Sequence, residues 1–310
     1  MRRRGYLSFI CTVIALMILS GCVASRNLSR GVDHMRSGKF DEAIESFSRS
    51  LEANPDFSEA YYHRGNAYAM KKEFDNATTD FTRAIALNPV YEDAYMARAV
   101  ALIEKGDQAM AMPDLYKVIE LRPDRTEAYV IRGRLFQKQG DAKNALADYT
   151  LAIKKGTGND YQGYLYRGIL LKEQGEAALA LADFSKALTI NPNDPGAYIQ
   201  RAEIWLSQKK YDEAIEDCRQ ALRIYPLAVL AFRIRGDALM GKQDYDLALW
   251  NYSEAIDIYP NDASFYARRG DAWKKTGNKA AACKDFAMAC KLEDCRKMDF
   301  WKWKDRNCGK

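Results

Sequence analysis

Histidine is nearly absent from this chain of 310 residues: only His34 and His63 occur. That removes most histidine-based metal sites and leaves little room for a nucleophile–histidine triad. The 8 prolines and 19 glycines are too few for collagen-like or low-complexity sequence. Runs of β-branched residues are scarce, while Ala, Leu, Glu, Lys and Arg dominate, which points to helix. No P-loop, G-x-G-x-x-G, H-E-x-x-H or G-x-S-x-G occurs, so the familiar signatures of nucleotide, zinc-protease and serine-hydrolase sites are missing. A basic stripe is missing too. The formal charge is +5, but with Arg2, Arg3 and Arg4 set aside the remainder carries 44 basic and 42 acidic residues, nothing that would release counterions from a nucleic-acid backbone. What is present is a composition 48% hydrophobic and 29% charged, which excludes wholesale disorder.

The first residues form a unit of their own. Arg2-Arg3-Arg4 is a basic start, and Tyr6 to Leu19 is a mostly apolar stretch of 14 residues. A bilayer-spanning helix needs roughly 20, so the stretch reads as the core of a secretory signal before it reads as a membrane span. Leu19-Ser20-Gly21-Cys22 then resembles the bacterial lipobox. The resemblance implies cleavage before Cys22 after its thiol has received a diacylglyceryl group, a signal peptide at 1–21 and a lipid anchor strong enough to hold the chain on a membrane. Val23, where an Asp would favour retention at the inner membrane, implies the outer membrane with the chain facing the periplasm.

An internal period runs through the rest. Prolines 55, 89 and 123 are 34 apart, as are prolines 192, 226 and 260. With them recur Tyr61-x-x-Arg64-Gly65-x-x-Tyr68, then Ala77, Phe81 and Ala84, and again Tyr164-x-x-Arg167-Gly168, then Ala180, Phe184 and Ala187. This pattern resembles the tetratricopeptide repeat (TPR) family. The resemblance implies an all-α, right-handed α-solenoid of eight helix-turn-helix repeats. They are 24–57, 58–91, 92–125, 126–160, 161–194, 195–228, 229–262 and 263–296, an array over 22–296 with a C-terminal cap at 297–310. An extra residue falls near Gly156-Thr157-Gly158. Gly or Ala on the first helix (A) and Ala on the second (B) allow close approach, large aromatics fill the remaining volume, and the proline stops the B helix. No repeat can bury its apolar face alone, so neighbours must stack. Phe300, Trp301 and Trp303 are placed to cover the last face, with partner binding as their alternative role.

One feature departs from the family. The residue before the Gly/Ala is arginine in every repeat: Arg30, Arg64, Arg98, Arg132, Arg167, Arg201, Arg235 and Arg269, where leucine is usual. The B helices carry Asp80, Asp114, Asp148, Asp183, Asp217 and Asp285 in matching register, with Ser46 and Asn251 in the other two. We read the two rows as structural pairs, Arg64 with Asp80, Arg132 with Asp148 and Arg167 with Asp183 among them, because a planar guanidinium holds a carboxylate through two bonds.

In the family, A helices line a concave groove. The positions expected there are Tyr62, Asn66, Met96, Val100, Val130, Arg134, Leu165, Ile169, Ile199 and Glu203. The first five repeats then offer an apolar stripe with Asn66 and Arg134 as polar points, while Glu203, Asp237 and Asp271 make the later ones acidic. Such a stripe suits a peptide segment or an amphipathic helix. Asn66 matches a residue of the family's carboxylate clamp, but Tyr62 stands where the clamp has lysine.

Four of the seven cysteines, Cys283, Cys290, Cys295 and Cys308, lie in the last 28 residues. Cys283 and Cys290 on one helix are about 10.5 Å apart by helical rise, beyond disulfide reach. That leaves 283–295 with 290–308, or 283–308 with 290–295. Cys-Lys-Leu-Glu-Asp-Cys at 290–295 resembles the terminal element of some bacterial TPR proteins, which implies a staple from the last repeat to the cap with Cys290 as one member. Cys218 takes the place of a core aromatic and reads as a buried thiol.

The expectation is a non-enzymatic, lipid-anchored scaffold facing the periplasm, binding other proteins and needing no cofactor, metal, nucleic acid or small-molecule substrate. Assembly of an envelope complex (pilus, secretin or secretion) is the first role considered. An adaptor for peptidoglycan or envelope-maintenance enzymes, or a non-catalytic subunit of an envelope enzyme complex, are the others.

Overall fold

The computed structural model describes residues 21–293 and 300–308. The leader at 1–20, Cys295 and part of the expected cap lie outside the described residues. Within them the chain is all helix, as the repeat pattern predicts. The A helices are α1 (21–36), α3 (Ser58–Met70), α5 (Glu92–Lys105), α7 (Thr126–Lys138), α9 (Tyr161–Glu173), α11 (Pro195–Ser207), α13 (Val229–Gly241) and α15 (Ala263–Lys275). The B helices are α2 (Phe40–Ala53), α4 (Phe74–Leu87), α6 (Gln108–Leu121), α8 (Ala142–Lys155), α10 (Ala177–Ile190), α12 (Tyr211–Ile224), α14 (Tyr245–Ile258) and α16 (Lys279–Leu292), and α17 (Trp301–Asn307) closes the series. Two compact units divide between Gly156 and Thr157, at the extra residue of the repeat pattern.

Local chemistry sets the helix ends. Side chains of Asp141, Asp160, Asp194, Asp244, Asp262 and Asn278 accept a backbone N–H of the first turn of the helix they precede. B helices followed by proline stop with an extended cap residue at Asn54, Asn88, Asn191 and Tyr225. The A helices turn through a left-handed residue before the B helix begins. Glycine fills it at 38, 106, 140, 175 and 277, but Lys72, Lys209 and Gln243 are held there with φ of 62°, 60° and 64°.

Packing follows a volume rule. A methyl added at Gly65, Gly133, Gly168 or Gly236 would stand 2.6–2.9 Å from a ring carbon of Phe81, Tyr149, Phe184 or Tyr252, each sixteen residues on. Bare A-helix backbone therefore lies against the ring face. Where the A helix carries alanine instead, at Ala99 and Ala202, the residue sixteen on is the smaller Leu115 or Cys218, and both pairs are buried. Large-to-bare and small-to-methyl combinations both leave their pair buried, as close packing requires. Within each unit an A helix packs on its own B helix and the preceding one, and A helices of adjoining repeats also touch (α3 with α5, α11 with α13, α13 with α15).

At the C-terminal end Phe300 is buried and stacks on Phe286 at 4.3 Å, with the edge of Trp303 5.5 Å away. The capping role holds for these two rings. Cys283 of α16 is bonded to Cys308 at the end of α17. The staple to the cap is thus made by Cys283 and not, as the resemblance implied, by Cys290. Cys283 lies on the α16 turns that α17 covers. Cys290 is itself disulfide-bonded. Cys218 is a buried free thiol whose pKa burial pushes up to about 12.

Candidate partner-binding clefts

The arginine row is tied down. Six of its members hold an aspartate of their own repeat with Nε and Nη2 on separate carboxylate oxygens, every bond 2.7 or 2.8 Å: Arg64–Asp80, Arg98–Asp114, Arg132–Asp148, Arg167–Asp183, Arg201–Asp217 and Arg269–Asp285. These aspartates are buried. Nη1 of Arg64, Arg98, Arg201 and Arg269 makes a third bond, 3.0 Å long, to Ser48, Thr82, Ser185 or Ser253 on the B helix of the preceding repeat. Each of these four arginines thus fastens two repeats. A tyrosine three residues earlier lies beside the guanidinium, Tyr61 and Tyr95 for example, at 5.5 and 5.7 Å. The hydrogen bonds to Asp80 and Asp114 hold Arg64 and Arg98 above the usual arginine range. Repeat one lacks the pair: Arg30 is exposed and Ser46 buried.

Two adjoining clefts open on the A-helix side of the first compact unit. One, about 420 Å³, lies between α3 and α5 over α4, lined by Asn66, Met70, Ala97, Val100 and Glu104 with Lys72, Phe74 and Phe81. The other, about 230 Å³, lies between α5 and α7 and is lined by Val100, Ile103, Glu104, Ile131, Arg134 and Lys138. Val100 and Glu104 border both. Met70 is 61% exposed and Val100 40%, so both offer apolar surface to the clefts. The clefts have an apolar floor, with Asn66 and Lys72 on the α3 side, Arg134 and Lys138 on the α7 side and the Glu104 carboxylate between.

Tetratricopeptide repeat models match residues 28–81, 73–128 and 131–195, and two further repeat models match 195–226 and 236–277. The chain belongs to the tetratricopeptide repeat family. Among solved structures, this TPR chain is similar to one from the study "Functional Characterization of Pseudomonas Aeruginosa pilF", with TM-score 0.61 at 17% identity over 67% of this chain and 94% of that one. A tetratricopeptide repeat protein from Parabacteroides merdae gives TM-score 0.60 at 19% identity, over 83% of this chain and all of that one. MamA from Desulfovibrio magneticus RS-1 gives 0.51 at 21%, over 56% and 97%. At these identities the likeness is one of fold. No curated protein sequence matches the chain.

The TPR groove positions divide three ways. Asn66, Val100 and Arg134 come together in the paired clefts. Met96, Val130 and Ile199, expected to face a ligand, are buried at 7%, 1% and 8% exposure. Met96 and Ile199 pack in the cores of their repeats. They lie on A-helix flanks that turn toward neighbouring helices, so the apolar stripe is interior surface there. Tyr62 is half-buried, packed beside His63, Phe81 and Tyr91. Leu165 and Ile169 are half-buried in the second compact unit.

The expected acidic surface of the later repeats is also corrected. Glu203 accepts from Lys172 at 2.8 Å and from Arg233 at 2.9 Å. Asp237 is held by Arg233 at 3.2 Å, by Arg268 at 2.7 Å and by the Tyr252 hydroxyl at 2.8 Å. Cations from α9, α13 and α15 neutralise the carboxylates of α11 and α13 in a chain that runs across the A helices. Sequence reading missed Met70, Glu104 and Lys138. Their signal is the position four after each expected groove residue at 66, 100 and 134, one helical turn along the same face. On the B-helix side a larger hollow of about 610 Å³ includes Thr78, Thr79, Thr82, Met110 and Pro113. Its threonines already donate to carbonyls of their own helix.

Proposed function

We propose that this TPR protein is a lipid-anchored scaffold facing the periplasm, holding a segment of a partner protein in the paired clefts of its first unit. The observation that carries the reading is that two clefts meet at Val100 and Glu104, with Asn66 at one end and Arg134 and Lys138 at the other. A segment suited to them has apolar residues spaced to enter both hollows, and an acidic residue toward α7 to meet the two cations. Arg2-Arg3-Arg4, the apolar stretch and the lipobox support the anchor. Val23 favours the outer membrane. Assembly of an envelope complex is the role we assign to the scaffold, which acts by holding its partner and not by catalysis.

The test uses a photo-crosslinking amino acid at Val100 in living cells, followed by mass spectrometry. One crosslinked partner is expected, lost when Arg134→Glu is added and not captured when the crosslinker stands at exposed Leu179 instead. A partner captured equally from both positions, or indifferent to Arg134→Glu, refutes the cleft reading. Labelled fatty acid should attach to the wild type and not to Cys22→Ser; equal labelling refutes the anchor.

A further inference from the structure

The seventh repeat breaks the arginine row twice. Its B helix offers Asn251 where six repeats have aspartate, and Arg219 stands where Ser48, Thr82, Ser185 and Ser253 accept the third bond. Arg219 is bonded to Glu216 on its own helix. Among the described residues Arg235 therefore makes a single protein hydrogen bond, from Nε to Asn251 Oδ1 at 2.6 Å, while the Asn251 amide donates to the Leu247 carbonyl. Glu254, one turn beyond Trp250, contributes to the field at Arg235 but forms no ion pair with it. Burial without a carboxylate pushes Arg235 below the usual arginine range, the reverse of its paired counterparts. The two terminal nitrogens are unbonded yet not sealed in: the one buried polar side-chain atom without a partner among the described residues is Nε of Arg268. Two rings flank the guanidinium, Phe232 at 5.5 Å and Trp250 at 5.3 Å. Trp250 is 49% exposed, and Leu247 one turn before it on the same face of α14 is exposed as well.

From this geometry we infer that Arg235, Trp250 and Leu247 form a second docking site, on the B-helix side of repeat seven, for a partner peptide carrying an Asp or Glu beside an apolar residue. The free ends of the guanidinium present two parallel N–H donors, the fork that a planar carboxylate accepts. The incoming carboxylate supplies the counter-charge that Asn251 omits, and the adjacent apolar residue covers Trp250 and Leu247. Charge complementarity selects this occupant: a cation lacking the acid its counterparts have, beside apolar side chains that are open. The site belongs to the second compact unit, and the clefts between α3, α5 and α7 belong to the first.

The test is a selection with a built-in filler. Asn251→Asp places a carboxylate on Arg235 from within, completing the row and closing the site while keeping the fold. A display library of short linear peptides is panned on the full chain. Enriched peptides should share an acidic residue next to an aliphatic or aromatic one. They should bind Asn251→Asp, Arg235→Gln and Trp250→Ser about tenfold or more weakly, the loss expected for a charge-assisted pair. Their Glu→Gln versions should lose as much, and Val100→Asp should leave them unaffected. Thermal midpoints of Asn251→Asp and Trp250→Ser at or near wild type show that the loss is local. Peptides without an acidic consensus, peptides indifferent to these substitutions, or no enrichment at all overturn the inference. So does competition by inorganic phosphate alone with no peptide preference, which marks a simple anion site.

Discussion

Gly65→Ala puts the volume rule to the test. On an exposed helix this exchange stabilises by about 1 kcal/mol, because alanine loses less backbone freedom. Here the new methyl stands 2.7 Å from Cε1 and 2.9 Å from Cδ1 of Phe81, against a comfortable separation of roughly 3.5–4.0 Å. The ring is buried, held by the surrounding helices, and is not a flexible tip that can swing aside. Overpacking of this kind costs about 1–3 kcal/mol, so the net effect is a loss despite the helix-propensity gain. The same exchange in a Phe81→Leu background should stabilise instead, since Ala99 with Leu115 shows that alanine and leucine fit together at this register. Urea and thermal midpoints by circular dichroism on the four chains of the cycle give the coupling, which should be of order 1–3 kcal/mol and favourable to the double variant. If Gly65→Ala raises the midpoint equally in both backgrounds, close backbone–ring contact is not what selects glycine at this position.

Other perturbations follow from named contacts. Asp148→Ala strands Arg132, 11% exposed in its side chain, and should cost about 3–5 kcal/mol by denaturation. Replacing both partners by leucine and methionine should cost much less, and equal costs would show that the charge itself is not the issue. His63 lies beside Phe47 and Tyr62, and burial, opposed by Glu59, holds its pKa below the ordinary 6.5. A lowered folded pKa contributes stability that is complete above 6.5 and is lost as pH falls through the folded value. The thermal midpoint should thus drop on acidification from 6.5 more steeply for wild type than for His63→Gln, and parallel curves would contradict this. Cys283→Ser with Cys308→Ser opens a loop of 25 residues and should cost roughly 3 kcal/mol, read as lost amide protection in α17 with α3–α8 unchanged. Lys72→Gly, Lys209→Gly and Gln243→Gly relieve left-handed backbone and should each raise the midpoint by about 1 kcal/mol.

The helix pairs and the Arg–Asp pairs were legible because both obey one period: a proline every 34 residues places the turns, and an arginine sixteen before an aspartate faces it in repeat after repeat. The third bond, to Ser48 or Ser185, sits at the same interval in the opposite direction and passes unnoticed unless the preceding repeat is compared. The clefts were only half legible. Val100 and Val130 are both valines on A helices, yet one is 40% exposed and the other 1%. Which flank of an A helix faces open space depends on how its neighbours are rotated, and residue type does not carry that. The charge chain through Glu203 and Asp237 was misread for a related reason. Their partners Lys172, Arg233 and Arg268 lie on the same or other A helices, and the acids look unopposed when read one position at a time.

The bonds from Arg201 to Ser185 and from Arg269 to Ser253 cross from one hairpin to the one before it, and Arg235 makes no such crossing. Under tension along the chain the stitching is therefore uneven. In an optical-trap record of residues 157–310 within the intact protein, the seam between the sixth and seventh hairpins, which Arg233–Glu203 and Lys242–Asp212 also bridge, should part at a force that Asn251→Asp, which gives Arg235 its acid but no stitch backward, leaves unchanged. Changing Arg219 to serine should be what strengthens it.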